Sequence, residues 1–228
     1  MIGIFDSGEG GINALREIKK RAPWIDVCFL ADRKNAPYGT KSESELVELV
    51  SRDIERLLLI GANKILMACC TASTVYPLLD SRLRSAALPI ISPTAEAAAA
   101  ATVNGKVGVI ATEATVSSGA FSTALSRYGS VKQTFEVPAQ ILVQMVESGI
   151  SDGRAPDVTR AKIRRLLSPI RESGADTLVL GCTHFCRLKQ IIAGSLPGVR
   201  IISSSLSGAL EMLKDTPHHG RGETVYID

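Results

Sequence analysis

The chain has 228 residues, 45% apolar and 21% charged, and its 26 Lys and Arg against 23 Asp and Glu give a formal net charge of +3. This is an ordinary globular composition, long enough for one large domain or two small ones. Aromatics make up only 4% and the basic residues are scattered, which argues against a nucleic-acid surface, and no apolar run approaches the roughly 20 residues of a membrane helix.

The N-terminus reads Met-Ile-Gly-Ile-Phe-Asp, with no basic segment and no secretory pattern, so a cytoplasmic protein is expected. IGIFD (2–6) reads as a strand. The DSGEGG loop (6–11) lacks the last glycine of a phosphate loop, because Asn13 holds that place. Its Asp6 and Glu9 would repel a phosphate, so the loop reads as a close backbone approach to some other ligand, with Asp6 aimed at it. VCFLA (27–31) is a strand with Cys28 in the core. A helix follows over about 42–60, opened by a Ser42/Glu45 capping box, with Leu46, Leu49, Val50, Ile54, Leu57 and Leu58 on one face. KILMA (64–68) is a strand that runs directly into Cys69, Cys70 and Thr71. PIISPTAEAA (89–98) reads as a hinge.

The second half repeats the pattern. KVGVIA (106–111) echoes IGIFD, VKQTFEV (131–137) is a further strand, and a helix over about 157–172 carries Val158, Ile163, Leu166, Leu167 and Ile170 on its apolar face with Asp157 as its cap. TLVLG (177–181) runs into Cys182 and Thr183, as KILMA runs into Cys69. VRIIS (199–203) is a strand, DTPHHGRGE (215–223) a polar loop with His218 and His219 at the surface, and ETVYI (223–227) a strand that returns to the first half. Strands written as continuous apolar runs are those of parallel sheets covered on both faces. The expected class is α/β: two pseudo-symmetric parallel-sheet subdomains, 1–92 plus 206–228 and 93–205, with the active-site cleft between them.

Five cysteines in a reducing compartment read as free thiols. In open parallel sheets ligands bind beyond the carboxyl ends of strands, where Cys69 and Cys182 fall, each before a helix whose N-terminus would draw its thiol toward neutrality. Two thiols facing one carbon suit the inversion of a stereocentre, with a base on one side and an acid on the other. Two alternatives stand beside this. Cysteine is a common core residue, and CTHFC (182–186) could offer Cys182, His184 and Cys186 to a metal, although C-x-H-x-C is not a usual zinc spacing.

FDSGEGG, APYGTKS (36–42), ACCTAS (68–73), LVQMVESG (142–149) and GCTHF (181–185) resemble, in order and spacing, the motifs of cofactor-independent glutamate racemases, within the wider aspartate/glutamate racemase superfamily. The resemblance implies an enzyme that interconverts L- and D-glutamate for peptidoglycan without cofactor or metal. It implies that Cys69 and Cys182 are the acid/base pair and that Asp6, Glu147 and His184 support them. By the same resemblance Asp6, Ser7, Tyr38, Gly39, Cys70, Thr71, Thr183 and His184 would contact the substrate. From the residues alone Glu147 reads as an exposed helix-end charge and His184 has a structural alternative. Cys70 stands where the family usually has Asn, which opens aspartate, another small acid or a hydantoin as substrate, or a catalytically inactive racemase-like binding protein. Glu9, Cys186 and the IISSSLSG segment (201–208) depart from the pattern too, and the chain ends at TVYID, earlier than is usual there. The expected partner is a small amino acid, not nucleic acid or a membrane, with a homodimer left open.

Overall fold

The alternation of apolar runs and amphipathic helices becomes two all-parallel sheets in the computed structural model, which describes residues 1–214, 216 and 220–228. The chain divides into two units, Met1–Pro93 with Ser205–Asp228, and Thr94–Ser204. The strands are β1 (Ile2–Asp6), β2 (Val27–Ala31), β3 (Lys64–Met67), β4 (Ala87–Pro89), β5 (Lys106–Ala111), β6 (Gln133–Pro138), β7 (Thr177–Gly181), β8 (Arg200–Ser203) and β9 (Thr224–Ile227). The α-helices are α1 (Ile12–Arg21), α2 (Glu43–Leu59), α3 (Cys70–Thr74), α4 (Ser81–Ala86), α5 (Ile91–Ala101), α6 (Glu113–Ser117), α7 (Ala120–Leu125), α8 (Gln140–Glu147), α9 (Asp157–Leu166), α10 (Ser168–Ser173), α11 (Lys189–Ser195) and α12 (Ser204–Leu213). Among the described residues no helix is long and apolar enough to cross a membrane.

The sheet of the first unit runs β4-β3-β1-β2-β9 and that of the second β6-β5-β7-β8. Both share one plan. The opening strand, β1 or β5, lies between the next two strands in sequence, and the third of these pairs with the fourth. The IGIFD and KVGVIA echo is thus the central strand of each sheet. Both are buried nearly throughout, as continuous apolar runs require. The last strand, β9, pairs in parallel with β2.

The first core gathers Phe5, Leu30, Ile65 and Met67 of the sheet under α2. That helix starts as its sequence dictates: the Ser42 hydroxyl accepts the Glu45 N–H at 3.3 Å and the Glu45 carboxylate accepts the Ser42 N–H at 2.9 Å, a cap worth about 1 kcal/mol. Leu46, Val50, Ile54 and Leu57 are buried, each contributing on the order of 1.5–3 kcal/mol, while Leu49 and Leu58 are only partly covered. The second core joins Ile110, Leu178 and Leu180 to Leu142, Ile163, Ile170 and Phe185. Cys28 is fully buried, as its place in VCFLA predicts, and burial pushes its thiol up.

Two local expectations change, both in the helix over 157–172. The helix over 157–172 is two helices, α9 and α10, because Pro169 fits the first turn of a new helix but not the interior of a continuous one. Asp157 is the first residue of α9 and Pro156 its N-cap, and Val158 is 63% exposed instead of lying on the apolar face. The segment 89–98, expected as the hinge between the halves, does hold the division between the units, after Pro93, and its backbone is mostly helix: β4 ends at Pro89 and α5 carries an alanine run, the strongest of helix formers. His218 and His219 lie outside the described residues.

Candidate active site

In the first unit, β1 and β3 are neighbours, with Phe5 in register with Met67, so the loops after both strands meet. Asp6 ends β1, is 1% exposed, and accepts the Gly8 N–H at 2.9 Å. Ser7 follows it, and its hydroxyl lies 3.3 Å from the Cys69 sulfur. Cys69 is the extended N-cap of α3, and its sulfur also receives the Ala72 N–H at 3.4 Å. Cys70 and Thr71 form the first turn of α3 and are both buried. The glycine loop closes tightly on the protein itself: a Cβ on Gly11 would sit 2.7 Å from that of Asp6 and 3.0 Å from the Phe29 ring. Gly11 thus packs against β1 and β2, while a Cβ on Gly8 would meet nothing within 4 Å. Glu9 reaches outward to Arg33 at 3.2 Å.

The expectation of a near-neutral thiol fails for Cys69. Burial and then the Asp6 carboxylate push it up to about 11, and these outweigh the bonds from Ser7 and the Ala72 N–H that favour thiolate. Iodoacetamide labelling of Cys69, read by peptide mass mapping, is therefore expected to be slow at pH 7 and to accelerate about tenfold per pH unit as pH rises. Asp6→Asn removes the like charge and moves that rise to lower pH. A labelling rate already level at pH 8, or an upward displacement in Asp6→Asn, contradicts this.

Tyr38 sits in a 3-10 turn, Tyr38–Thr40, with Gly39 half-buried beside it. Its ring is 2% exposed and its hydroxyl donates to Asp32 at 2.7 Å and to Asp53 at 3.3 Å. Arg52 ties the two carboxylates together, with Nη2 2.9 Å from Asp32 and Nε 3.0 Å from Asp53. Burial, the bond to Asp32 and the surrounding negative charge hold the phenol far above its ordinary range. Burial would raise Asp32 too, but bonds from Tyr38, Asn35 and Arg52 outweigh it and keep that carboxyl low, whereas burial dominates at Asp53 and keeps it high. The Tyr38 hydroxyl is thus committed to the protein, and what the turn can offer a ligand is backbone. The sequence reading missed Asp32, Arg52 and Asp53. The signal was there: Asp53 falls on the stripe Leu46, Val50, Ile54, Leu57, where a carboxylate is buried only if paired.

In the second unit Cys182 follows β7 with extended backbone. A 3-10 helix, Thr183–Leu188, succeeds it, so the helix expected after Cys182 forms with 3-10 geometry. Phe185 and Leu188 are fully buried and pin that helix. His184 Nδ1 lies 3.6 Å from the Cys182 sulfur, and its Nε2 lies 3.8 Å from Glu147 at the end of α8. The Glu147 side chain is 59% exposed against 19% for His184, so this carboxylate is both a helix-end surface charge and a neighbour of the imidazole. Thr183 is buried beside them. Gly181 has no room for a side chain: a Cβ there would lie 2.9 Å from the Ile110 carbonyl oxygen and 2.8 Å from the Phe121 ring. Cys186 turns to Ser203, with sulfur and hydroxyl 3.2 Å apart. Among the described residues no three His, Cys, Asp or Glu side chains gather as a metal site.

Each unit therefore presents a thiol just past the carboxyl end of the strand beside its central strand. Each sulfur lies against a polar side chain: the Ser7 hydroxyl, 3.3 Å from Cys69, and His184 Nδ1, 3.6 Å from Cys182.

The family model for Asp/Glu/hydantoin racemases matches residues 23–211. A glutamate racemase of Pseudomonas paraeruginosa is 39% identical over 214 residues, covering 92% of this chain and 79% of the relative. Among solved structures, glutamate racemase isoform RacE1 of Bacillus anthracis superposes with a TM-score of 0.88 at 28% identity, over 99% of this chain and 86% of that one. The glutamate racemase of Francisella tularensis in complex with D-glutamate gives 0.85 at 25% identity, over 99% and 86%.

Proposed function

This chain belongs to the Asp/Glu/hydantoin racemase family, and from that premise we propose that it interconverts L- and D-glutamate by carrying protons on two thiols, with no cofactor. The observation that carries the reading is the matched pair of strand-end cysteines, Cys69 after β3 and Cys182 after β7, each with a polar side chain against its sulfur. One sulfur acts as thiolate, takes the Cα proton, and leaves the bonding pair on a carbanion spread into the carboxylate. The other, a thiol, delivers its proton to the opposite face. The enzyme ends with thiol and thiolate exchanged, ready for the reverse direction.

The supporting roles follow from chemistry. Outside the reaction, burial and then Asp6 favour the thiol form of Cys69. A substrate ammonium near Asp6 offsets that carboxylate and brings the thiolate within reach. His184 accepts from or donates to Cys182, with Glu147 orienting the imidazole. Ser7, Thr71 and Thr183, with the backbone of Tyr38 and Gly39, hold the carboxylates of the substrate through neutral donors. The five free cysteines suit a reducing cytoplasm, where D-glutamate would be made for peptidoglycan.

Cys70 favours a second reading of the same chemistry. It is 2% exposed beside Cys69 and supplies a weakly bonding thiol where an amide is usual, which would relax the grip on glutamate toward aspartate or another small acid. One experiment tests both. Each enantiomer of glutamate and of aspartate is incubated in D2O, and ellipticity and Cα deuterium are followed. Glutamate is expected to lose its rotation from either side and to take up deuterium. Exchange with aspartate alone moves the assignment to aspartate. No exchange with either, despite ligand-induced stabilisation, makes the protein a binding module.

A further inference from the structure

The second unit holds a cavity that this chemistry does not use, with a volume of about 410 Å³, within the range of small-ligand sites. Ile141, Leu142 and Met145 of α8 face Ile163 and Leu166 of α9 across it. Leu142 and Ile163 are fully buried while Ile141 is 47% exposed, so apolar surface climbs from the floor to the mouth. Lys162 and Arg165 complete the lining and are both exposed. Nearby Arg160 spends its guanidinium on the carbonyls of Ala155 and Asp152. Lys162 and Arg165 form no ion pair among the described residues. An apolar trough with two uncompensated cations at its mouth is complementary to one class of molecule, an apolar body with an anionic head.

The cavity also shares a helix with the candidate site. Met145 lines it, and Glu147, two residues on, sits 3.8 Å from His184. We propose that the α8–α9 groove is an accessory site for a small amphipathic anion, and that its occupant acts through α8 on the Glu147–His184 contact. The second half rests on the racemase reading; the site itself does not.

Decanoate is the probe, with decylamine as its cationic counterpart. Titration calorimetry on the intact protein is expected to show saturable decanoate binding, at least about tenfold tighter than decylamine, and amide exchange should slow in α8 and α9. The double variant Lys162→Glu/Arg165→Glu should weaken decanoate about tenfold or more. Ile141→Glu, a single exposed position, should do the same should the double variant fold poorly. Binding that ignores the charge reversal, equal binding of decylamine, or no saturable binding overturns the site. A dimer in sedimentation that Ile141→Glu disperses assigns the groove to a second copy of the chain and overturns it as well. Charge-dependent binding that leaves Cα exchange unchanged overturns the coupling through α8 alone. Saturable binding to a chain that exchanges neither amino acid upholds the site and separates it from the racemase reading.

Discussion

Replacing either Cys69 or Cys182 by serine is expected to lower racemisation of glutamate by about a thousandfold or more. A positioned acid or base contributes about 10² to 10⁴ in rate, and a serine hydroxyl is too weak an acid to take over either role. The two variants should not fail identically. A chain that keeps one thiol can still remove the Cα proton from the enantiomer facing it and return a solvent deuteron from the same side. Each serine variant is therefore expected to wash deuterium into one enantiomer while producing little of the other, with the favoured enantiomer opposite in the two. Polarimetry alongside NMR of the Cα signal separates these outcomes. Racemisation within threefold of the unmodified protein in either variant would end the two-thiol reading.

The second large effect is expected at Gly181, which touches no substrate in the proposed mechanism. A methyl group there meets the Ile110 carbonyl at 2.9 Å, a backbone atom with no freedom to swing aside, as well as the Phe121 ring at 2.8 Å and the Ala111 Cβ at 3.0 Å. Ala111 and Gly181 are register partners, so β5 and β7 must part at their carboxyl ends, where Cys182 begins. Gly181→Ala is expected to cost about 1–3 kcal/mol of stability through overpacking. It should cost about a hundredfold in turnover as well, because a displacement of about 1 Å in a reacting group has that effect. Urea denaturation and kcat measure the two separately. An unchanged midpoint with unchanged kcat would show that the strands absorb the methyl group.

Much of the frame was legible because apolar runs and helix periodicity report burial directly. Every strand expected from a five- to seven-residue segment formed, and the Ser42/Glu45 box marked the start of α2 to the residue. What escaped was of two kinds. Short elements such as β4 have too few residues to show a period, and in PIISPTAEAA, where the chain does pass from one unit to the other, proline and serine mask the start of α5. The other kind was chemistry between distant positions. Tyr38 could be singled out, but not that Asp32 and Asp53 would claim its hydroxyl, since that depends on α2 lying across the turn. Likewise a helix N-terminus behind Cys69 argued for an acidic thiol, and only the packed surroundings show burial and Asp6 prevailing. The roles carried by resemblance reached further, marking Glu147 beside His184 where composition offered only a surface charge.

The two thiols keep unlike company: a hydroxyl and a backbone N–H for one, an imidazole backed by a carboxylate for the other. Mirror-image substrate and product have the same free energy, so kcat/KM has to be identical in the two directions whatever the protein does. Unequal sulfurs therefore cannot prefer one enantiomer when both are scarce. Their difference can surface only at saturation, where the enantiomer with the faster turnover must carry a KM larger by the same factor.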